Sequence, residues 1–141
     1  MTYVLDSCVG FKWLVVEQDT DKARKLRDEY RQAIHDLVAP DVFPIEVAYA
    51  LTRAERQGRI TPAEGAQLLI DMLTTLPRLV ASLPLLPRAY QISSANRIGI
   101  YDCLYVALAE QQGCELVTTD TRLLTNLQGQ LPFIVALSSI P

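Results

Sequence analysis

Hydrophobic and polar positions along this chain follow two periods. Short apolar runs, which suit buried strands, are separated by segments whose apolar residues recur three and four apart, as on one face of a helix. TYVLD (2–6) is the first run. SCVGFKWLV (7–15) turns helical, with Ser7 as its cap and Val9, Trp13 and Val16 on one face. Residues 19–36 form a charged amphipathic segment striped by Ala23, Leu26, Tyr30, Ala33 and Ile34. LVAP (37–40) is a second strand, stopped by Pro40. FPIEVAYALTRAERQG (43–58) has Pro44 in its first turn and Gly58 beyond its end, both helix-boundary signals. ITPAEGAQLLIDMLTTLP (60–77) starts with a capping box, Thr61 as cap and Glu64 three residues on. LVASLP (79–84) is expected to be a third strand. Helices follow in LPRAYQISSANRIG (86–99), ending near Gly99, and in YDCLYVALAEQQG (101–113), ending at Gly113. CELVTT (114–119) reads as a buried strand, DTRLLTNL (120–127) as a short helix and PFIVAL (132–137) as a last strand.

Strands alternating with helices predict an α/β fold with a mostly parallel sheet covered on both faces. No repeat, low-complexity tract or linker breaks the pattern, so residues 1–141 are expected to form a single domain. Half of the residues are hydrophobic and mean hydropathy is +0.15. That leaves apolar side chains beyond what the core takes, and points to a self-association or partner surface. The net charge of −3 excludes a passive nucleic-acid coat protein, which would be basic. Contact with nucleic acid then needs a local basic patch or bound cations. Cys8, Cys103 and Cys114 are odd in number and lack CxxC spacing, so a reducing cytoplasm is expected rather than a disulfide scaffold. The single histidine, His35, excludes a multi-histidine zinc site and is expected on the surface at the end of the charged helix. The start of the chain has no basic and apolar leader pattern. No apolar run reaches the ~20 residues that a membrane span needs.

Carboxylates stand at the element ends. Asp6 closes the first strand, Asp102 opens a helix and Asp120 closes the strand that follows it. The helix between Asp102 and Gly113 rises ~16 Å, and the strand after it runs back ~13–17 Å. Asp120 therefore returns to the edge where Asp102 began. Asp6 shares that edge if its strand is parallel to the other, and in open parallel sheets ligands bind beyond the carboxyl ends of the strands. Glu46, among Ile45, Val47 and Ala48, is a fourth candidate. Each of these residues taken singly is equally what a helix cap or first turn favours. Four converging carboxylates without a neighbouring lysine would raise one another's pKa, a conflict that a divalent cation removes. All-oxygen ligands suit Mg²⁺ or Mn²⁺, and such a cation suits phosphoryl chemistry with an activated water. No Ser-His-Asp set, Cys-His pair or P-loop offers another route.

VLDSCVGFKWL, FPIEVAYAL, YDCLYVALAE and LVTTDTRLL, in this order, resemble the four acidic motifs of PIN-domain ribonucleases, most closely the VapC-type toxins of toxin–antitoxin pairs. The resemblance spans essentially the whole chain. It implies a three-layer α/β/α sandwich around a short, mostly parallel sheet. It also implies a Mg²⁺- or Mn²⁺-dependent endoribonuclease whose acidic positions are Asp6, Glu46, Asp102 and Asp120. Ser7 fits the small hydroxyl position after the first aspartate, and Thr118 and Thr119 the small polar positions before the last. Cys8 stands where another small residue is usual. A homodimer and a cognate antitoxin, whose C-terminal segment lies in a groove near the acidic pocket, are the implied partners beside RNA.

Around this set, Ser7, Thr119, Arg97 and Arg122 are candidate substrate-binding residues, the two arginines because each is close in sequence to an acidic residue. Lys12, Arg53, Arg56 and Arg59 are further candidates for an RNA path, although each also reads as a solvated charge. Phe11, Trp13, Phe43 and Tyr49 are expected mainly in the core. Two alternatives share the acidic pattern. A phosphoacceptor signalling domain needs a lysine after a late strand, but the lysines are Lys12, Lys22 and Lys25. A haloacid-dehalogenase-like phosphatase wants an aspartate at the position of Cys8. A non-catalytic PIN scaffold usually lacks acidic positions that are all present here.

Overall fold

The computed structural model describes residues 1–141. Its strands are β1 (Thr2–Leu5), β2 (Asp36–Pro40), β3 (Arg78–Val80), β4 (Glu115–Thr118) and β5 (Ile134–Ala136). Its helices are α1 (Ser7–Leu14), α2 (Thr20–Arg31), α3 (Phe43–Arg56), α4 (Pro62–Leu73), α5 (Leu86–Asn96), α6 (Ile100–Gln112) and α7 (Thr121–Leu127). The strands form one sheet in the order β3-β2-β1-β4-β5, and every pairing is parallel.

Successive residues of a strand point to opposite faces. Val4 and Leu5, Leu37 to Ala39, and Leu116 to Thr118 are all fully buried. Both faces of the sheet are therefore covered, which is why these strands read as unbroken apolar runs. α6 packs on β1, β2 and β4, with α5 against it, while α1 to α4 pack among themselves. One continuous core joins the sheet to α6, and a smaller cluster of Phe11, Val15, Leu51 and Ala54 seals α1 against α3. The α1–α3 approach is close: a Cβ on Gly10 would lie 2.5 Å from Phe43 Cζ.

Most boundary signals act as expected. Thr61 and Glu64 form the reciprocal capping box of α4. Gly113 ends α6 in the left-handed conformation, which costs glycine nothing.

Several expectations are corrected. The helix expected over 19–36 stops at Arg31, because Ala33 turns left-handed and Ile34 N closes the end on Glu29 O. Asp36 is instead the first residue of β2, paired with Thr2. Ala33 and Ile34 consequently leave the apolar stripe and are exposed. Val16 lies beyond α1 and is also exposed. The helix expected to run to Gly99 ends at Asn96, with Arg97 left-handed, and Gly99 caps α6. His35 is buried, edge-on to the Tyr3 ring. Its Nε2 lies 3.4 Å from Glu29 Oε2, yet neither ring nitrogen has a hydrogen-bond partner. Burial holds its pKa below the ordinary value despite Glu29. Tyr49 is on the surface, 62% exposed, rather than in the core.

Candidate active site

The sheet order reverses between β1 and β4. From β1 the chain builds outward through β2 and β3, then crosses to the other side for β4 and β5. Such a switch point opens a crevice at the carboxyl ends of the two central strands. Asp6 follows β1 and Asp120 lies just beyond β4. Asp6 N donates to Val117 O at 3.1 Å, which pins the first aspartate to β4.

Asp6 is almost wholly buried, at 4% exposure. It occupies the N-cap position of α1, but its carboxylate caps nothing. It turns instead to the fully buried Thr118, whose hydroxyl donates to Oδ2 at 2.8 Å. Ser7 Oγ donates to Oδ1 at 3.5 Å. Ser7 is thus the first helical residue, not the cap expected of it. Burial raises the Asp6 pKa to about 6; Thr118 opposes the rise, while Glu46 and Asp120 add to it.

Asp102 lies in the first turn of α6, whose cap is Gly99, so it too makes no cap bond. Its pKa is also raised to about 6, by burial first and then by Asp6 and Asp120, against Arg122. Glu46, in the first turn of α3, is half-buried. Burial raises its pKa; the hydrogen bond from Tyr105 opposes this, and Asp102 reinforces it. The Tyr105 hydroxyl donates to Glu46 Oε1 at 2.7 Å. Asp120 is the one aspartate that does cap a helix: Oδ1 accepts from Arg122 N at 2.9 Å and Leu123 N at 3.3 Å. Its own N–H donates to Thr118 Oγ1 at 3.0 Å. A single buried hydroxyl therefore holds the carboxylate of Asp6 and the backbone of Asp120.

The four acidic residues share one electrostatic neighbourhood, each acting on at least one of the others. As they stand, no three of them close into a metal-holding group. The donor set nevertheless fits a hard divalent cation. The site offers carboxylate and hydroxyl oxygens, no histidine, and a Cys8 thiol that stays protonated because burial and Asp6 push it up to about 12. Its raised carboxylate pKa values mark carboxylates that are buried and that repel one another. Asp6, Glu46, Asp102 and Asp120 are the residues able to hold such an ion.

Of the candidate substrate residues, Arg122 faces Asp102 electrostatically, and Ser7 and Thr119 line a groove of about 640 Å³ beside Glu46. Arg97 is exposed and makes no hydrogen bond or ion pair with the carboxylates. Lys12 and Arg59 are both paired to Glu17, at 3.3 and 2.9 Å, and Arg56 stacks over Tyr49. Glu17 also lines the groove, and the rest of its wall is mainly apolar, with Phe11, Ile45, Tyr49 and Tyr101 in it. Tyr105, Tyr101 and the anchoring role of Thr118 were missed from sequence. The available signal for Tyr105 was its place three residues after Asp102, on the same helical face.

Comparison with known proteins agrees with this layout. Residues 3–127 match the PIN domain. Ribonuclease VapC12 of Mycobacterium tuberculosis is 37% identical over 101 residues, 72% of either chain. Ribonuclease VapC9 of the same organism is 33% identical over 129 residues, covering 86% of this chain and 97% of that protein. Among solved structures, PAE2754 from Pyrobaculum aerophilum superposes with a TM-score of 0.69 at 22% identity, over 99% of this chain and 94% of its own. VapBC2 from Rickettsia felis, bound to a DNA fragment from their promoter, gives 0.66 at 13% identity, over 96% and 97%. At those identities the two structures speak for the fold.

Proposed function

The chain belongs to the PIN-domain family, among the VapC ribonucleases, and from that premise we propose that its acidic crevice is the centre of a Mg²⁺- or Mn²⁺-dependent endoribonuclease, the toxin of a toxin–antitoxin pair. What supports this reading is that Asp6, Glu46, Asp102 and Asp120 share one electrostatic neighbourhood by the sheet's switch point, with Asp6 and Asp102 both raised to about 6.

Asp6 and Asp102 would be the main ligands of the cation, with Glu46 and Asp120 completing its oxygen set. Bound there, the cation supplies Lewis acidity toward the phosphodiester and a lowered pKa for the attacking water. The chain's own groups do the rest. Thr118 fixes the orientation of Asp6. Tyr105 holds one oxygen of Glu46. Asp120 is held by its capping bonds to α7. Arg122, beside Asp102, offers a positive charge to a backbone phosphate. The burial of Asp6 limits solvent at the reacting centre, which strengthens every charge interaction there.

RNA is the proposed substrate, and an antitoxin and a second copy of the chain the proposed protein partners. Exposed Ile45, Tyr49 and Tyr101 along the groove are compatible with an antitoxin segment. The reading places the protein in the cytoplasm; the three cysteines are free thiols, and no helix is long and apolar enough to cross a membrane. The signalling alternative is disfavoured by the lysines. Lys12 is engaged by Glu17, while Lys22 and Lys25 bind carbonyls of the C-terminal segment.

The deciding experiment compares the wild type with Asp102→Asn on a single-stranded RNA, with Mn²⁺ and with excess chelator. Cleavage should require both the aspartate and the cation. Cleavage by the variant, or undiminished cleavage under chelation, defeats the reading. Labelling of an aspartate by a phosphodonor without cleavage moves the protein to the signalling class.

A further inference from the structure

Tyr105 is fully buried in the middle of α6. Its sequence neighbours Leu104, Val106, Ala107 and Leu108 are buried apolar residues, and its hydroxyl reaches beyond them to the polar groups of the crevice, Glu46 and Ser7 among them. A buried tyrosine hydroxyl needs a partner. The one it has is not backbone but Glu46 Oε1, at 2.7 Å, on a different helix and 59 residues away in sequence. A bond from a neutral donor to a carboxylate at this distance is in the short, charge-assisted range. Ser7, next to Asp6, adjoins both groups.

We propose that Tyr105 is the positioning residue for Glu46, holding its carboxylate in one orientation toward the acidic crevice so that α6 sets two acidic positions at once. α6 carries Asp102 directly. Three residues on, along the same face, it carries the hydroxyl that aims Glu46. Glutamate has a long, freely rotating side chain, and ordering it on ligand binding costs side-chain entropy. A fixed partner meets that cost in advance, as partners behind the ligands of metal centres commonly do. Thr118 stands in the same relation to Asp6, so two of the carboxylates each have a buried hydroxyl behind them. The proposal rests on the reading of this crevice as a cation-dependent ribonuclease centre.

Tyr105→Phe removes one oxygen and leaves the ring. The test measures Mn²⁺ affinity by calorimetry on the full chain, alongside kcat and KM for RNA cleavage and the unfolding temperature. Four proteins are compared: wild type, Tyr105→Phe, Glu46→Ala and the double variant. Expected is a loss of about 10-fold in Mn²⁺ affinity for Tyr105→Phe, a lower kcat with little change in KM, and no further loss when Tyr105→Phe is added to Glu46→Ala. Wild-type affinity in Tyr105→Phe overturns the proposal. So does a loss that adds fully to that of Glu46→Ala, since Tyr105 would then act by packing. Should Tyr105→Phe fail to fold, the wild type carries the test. Mn²⁺ should change its near-ultraviolet tyrosine absorbance, and the change should vanish in Glu46→Ala; a silent wild type overturns the proposal. If the wild type neither binds Mn²⁺ nor cleaves RNA, the ribonuclease reading falls and this inference falls with it. If the wild type does both and Tyr105→Phe is its equal, only this inference falls.

Discussion

Asp6 is a charge held where burial opposes it, and the sign of that conflict has consequences for stability. Its carboxyl titrates at 3.8 as an unperturbed group and at about 6 in the folded chain. Between those values the folded state holds more protons than the unfolded one, so stability falls as pH rises through the window and levels off above it. The gap corresponds to about 3 kcal/mol for Asp6, and Asp102 acts in the same direction. Asp6→Asn should therefore abolish cleavage with Mn²⁺ present and, in chelator, raise the unfolding temperature at pH 7.5 and flatten its decline between pH 4.5 and 6.5. Thermal circular dichroism across that range decides it; an unfolding temperature at pH 7.5 below the wild type's would show that the charge is not a burden. Thr118→Val should act oppositely. It strips the hydroxyl from buried Asp6 and from Asp120 N–H, and leaving such groups unpaired costs about 1–3 kcal/mol, to be read from urea unfolding. The three aspartates stood out in the sequence because each marks the end of an element, and Glu46 because its neighbours are apolar. Asp120 also shows that the capping reading was sound for one of them. Tyr105 and Thr118 were not legible as partners: spacing from Asp102 puts Tyr105 on the acidic face of α6, but the bonds the two residues make span 59 and 112 positions, and local pattern does not name the acceptors. His35 shows the same limit: its place after a charged helix suggested solvent, but the Tyr3 ring of a distant strand covers it.

Helix ends were readable where the chain spends a dedicated residue on them. The Thr61 and Glu64 box, Gly58 and Gly113 all stand at observed boundaries. The ends of α2 and α5 were not, because Ala33 and Arg97 take the left-handed conformation without a glycine or asparagine to announce it. The seat of α3 on α1 places the backbone from which Glu46 reaches the crevice, and that seat involves Gly10. With 2.5 Å between a new Cβ and the Phe43 ring, Gly10→Ala must displace that fully buried ring, which belongs to the first residue of α3, three residues before Glu46. The expected cost is about 1–3 kcal/mol of stability, as for other overpacked cores, together with weaker Mn²⁺ binding. Gly129→Ala, where nothing lies within 4 Å, is the matched control and should change neither. Equal unfolding midpoints for the two variants would mean that α1 and α3 part freely, and that the glycine does not set the position of Glu46.

The fold class followed from alternating periods, but the strand order did not, and the order is what makes the site. Asp6 and Asp120 meet only because β1 and β4 are neighbours, although a long stretch of chain containing β2 and β3 separates them in sequence. Asp102 and Glu46 then arrive on two helices, α6 and α3. No part of the chain shorter than this whole arrangement contains the crevice, so a cation that binds it binds the folded state alone. Binding of that kind stabilises by about 2.7 kcal/mol when the free ion is at 100 times its dissociation constant. The unfolding temperature should therefore climb with Mn²⁺ concentration at pH 7.5. Protons compete for Asp6 and Asp102, both of which take them up near pH 6, so the climb should shrink as pH is lowered through about 6. Asp102→Asn removes one ligand and should remove most of the shift, even though, like Asp6→Asn, it removes a charge that burial and neighbouring carboxylates oppose in the metal-free protein. The two effects have opposite signs and separate cleanly: without the ion the variant is the more stable protein, and with saturating ion the wild type overtakes it. Curves that never cross would mean that the carboxylates gather for some purpose other than holding a cation.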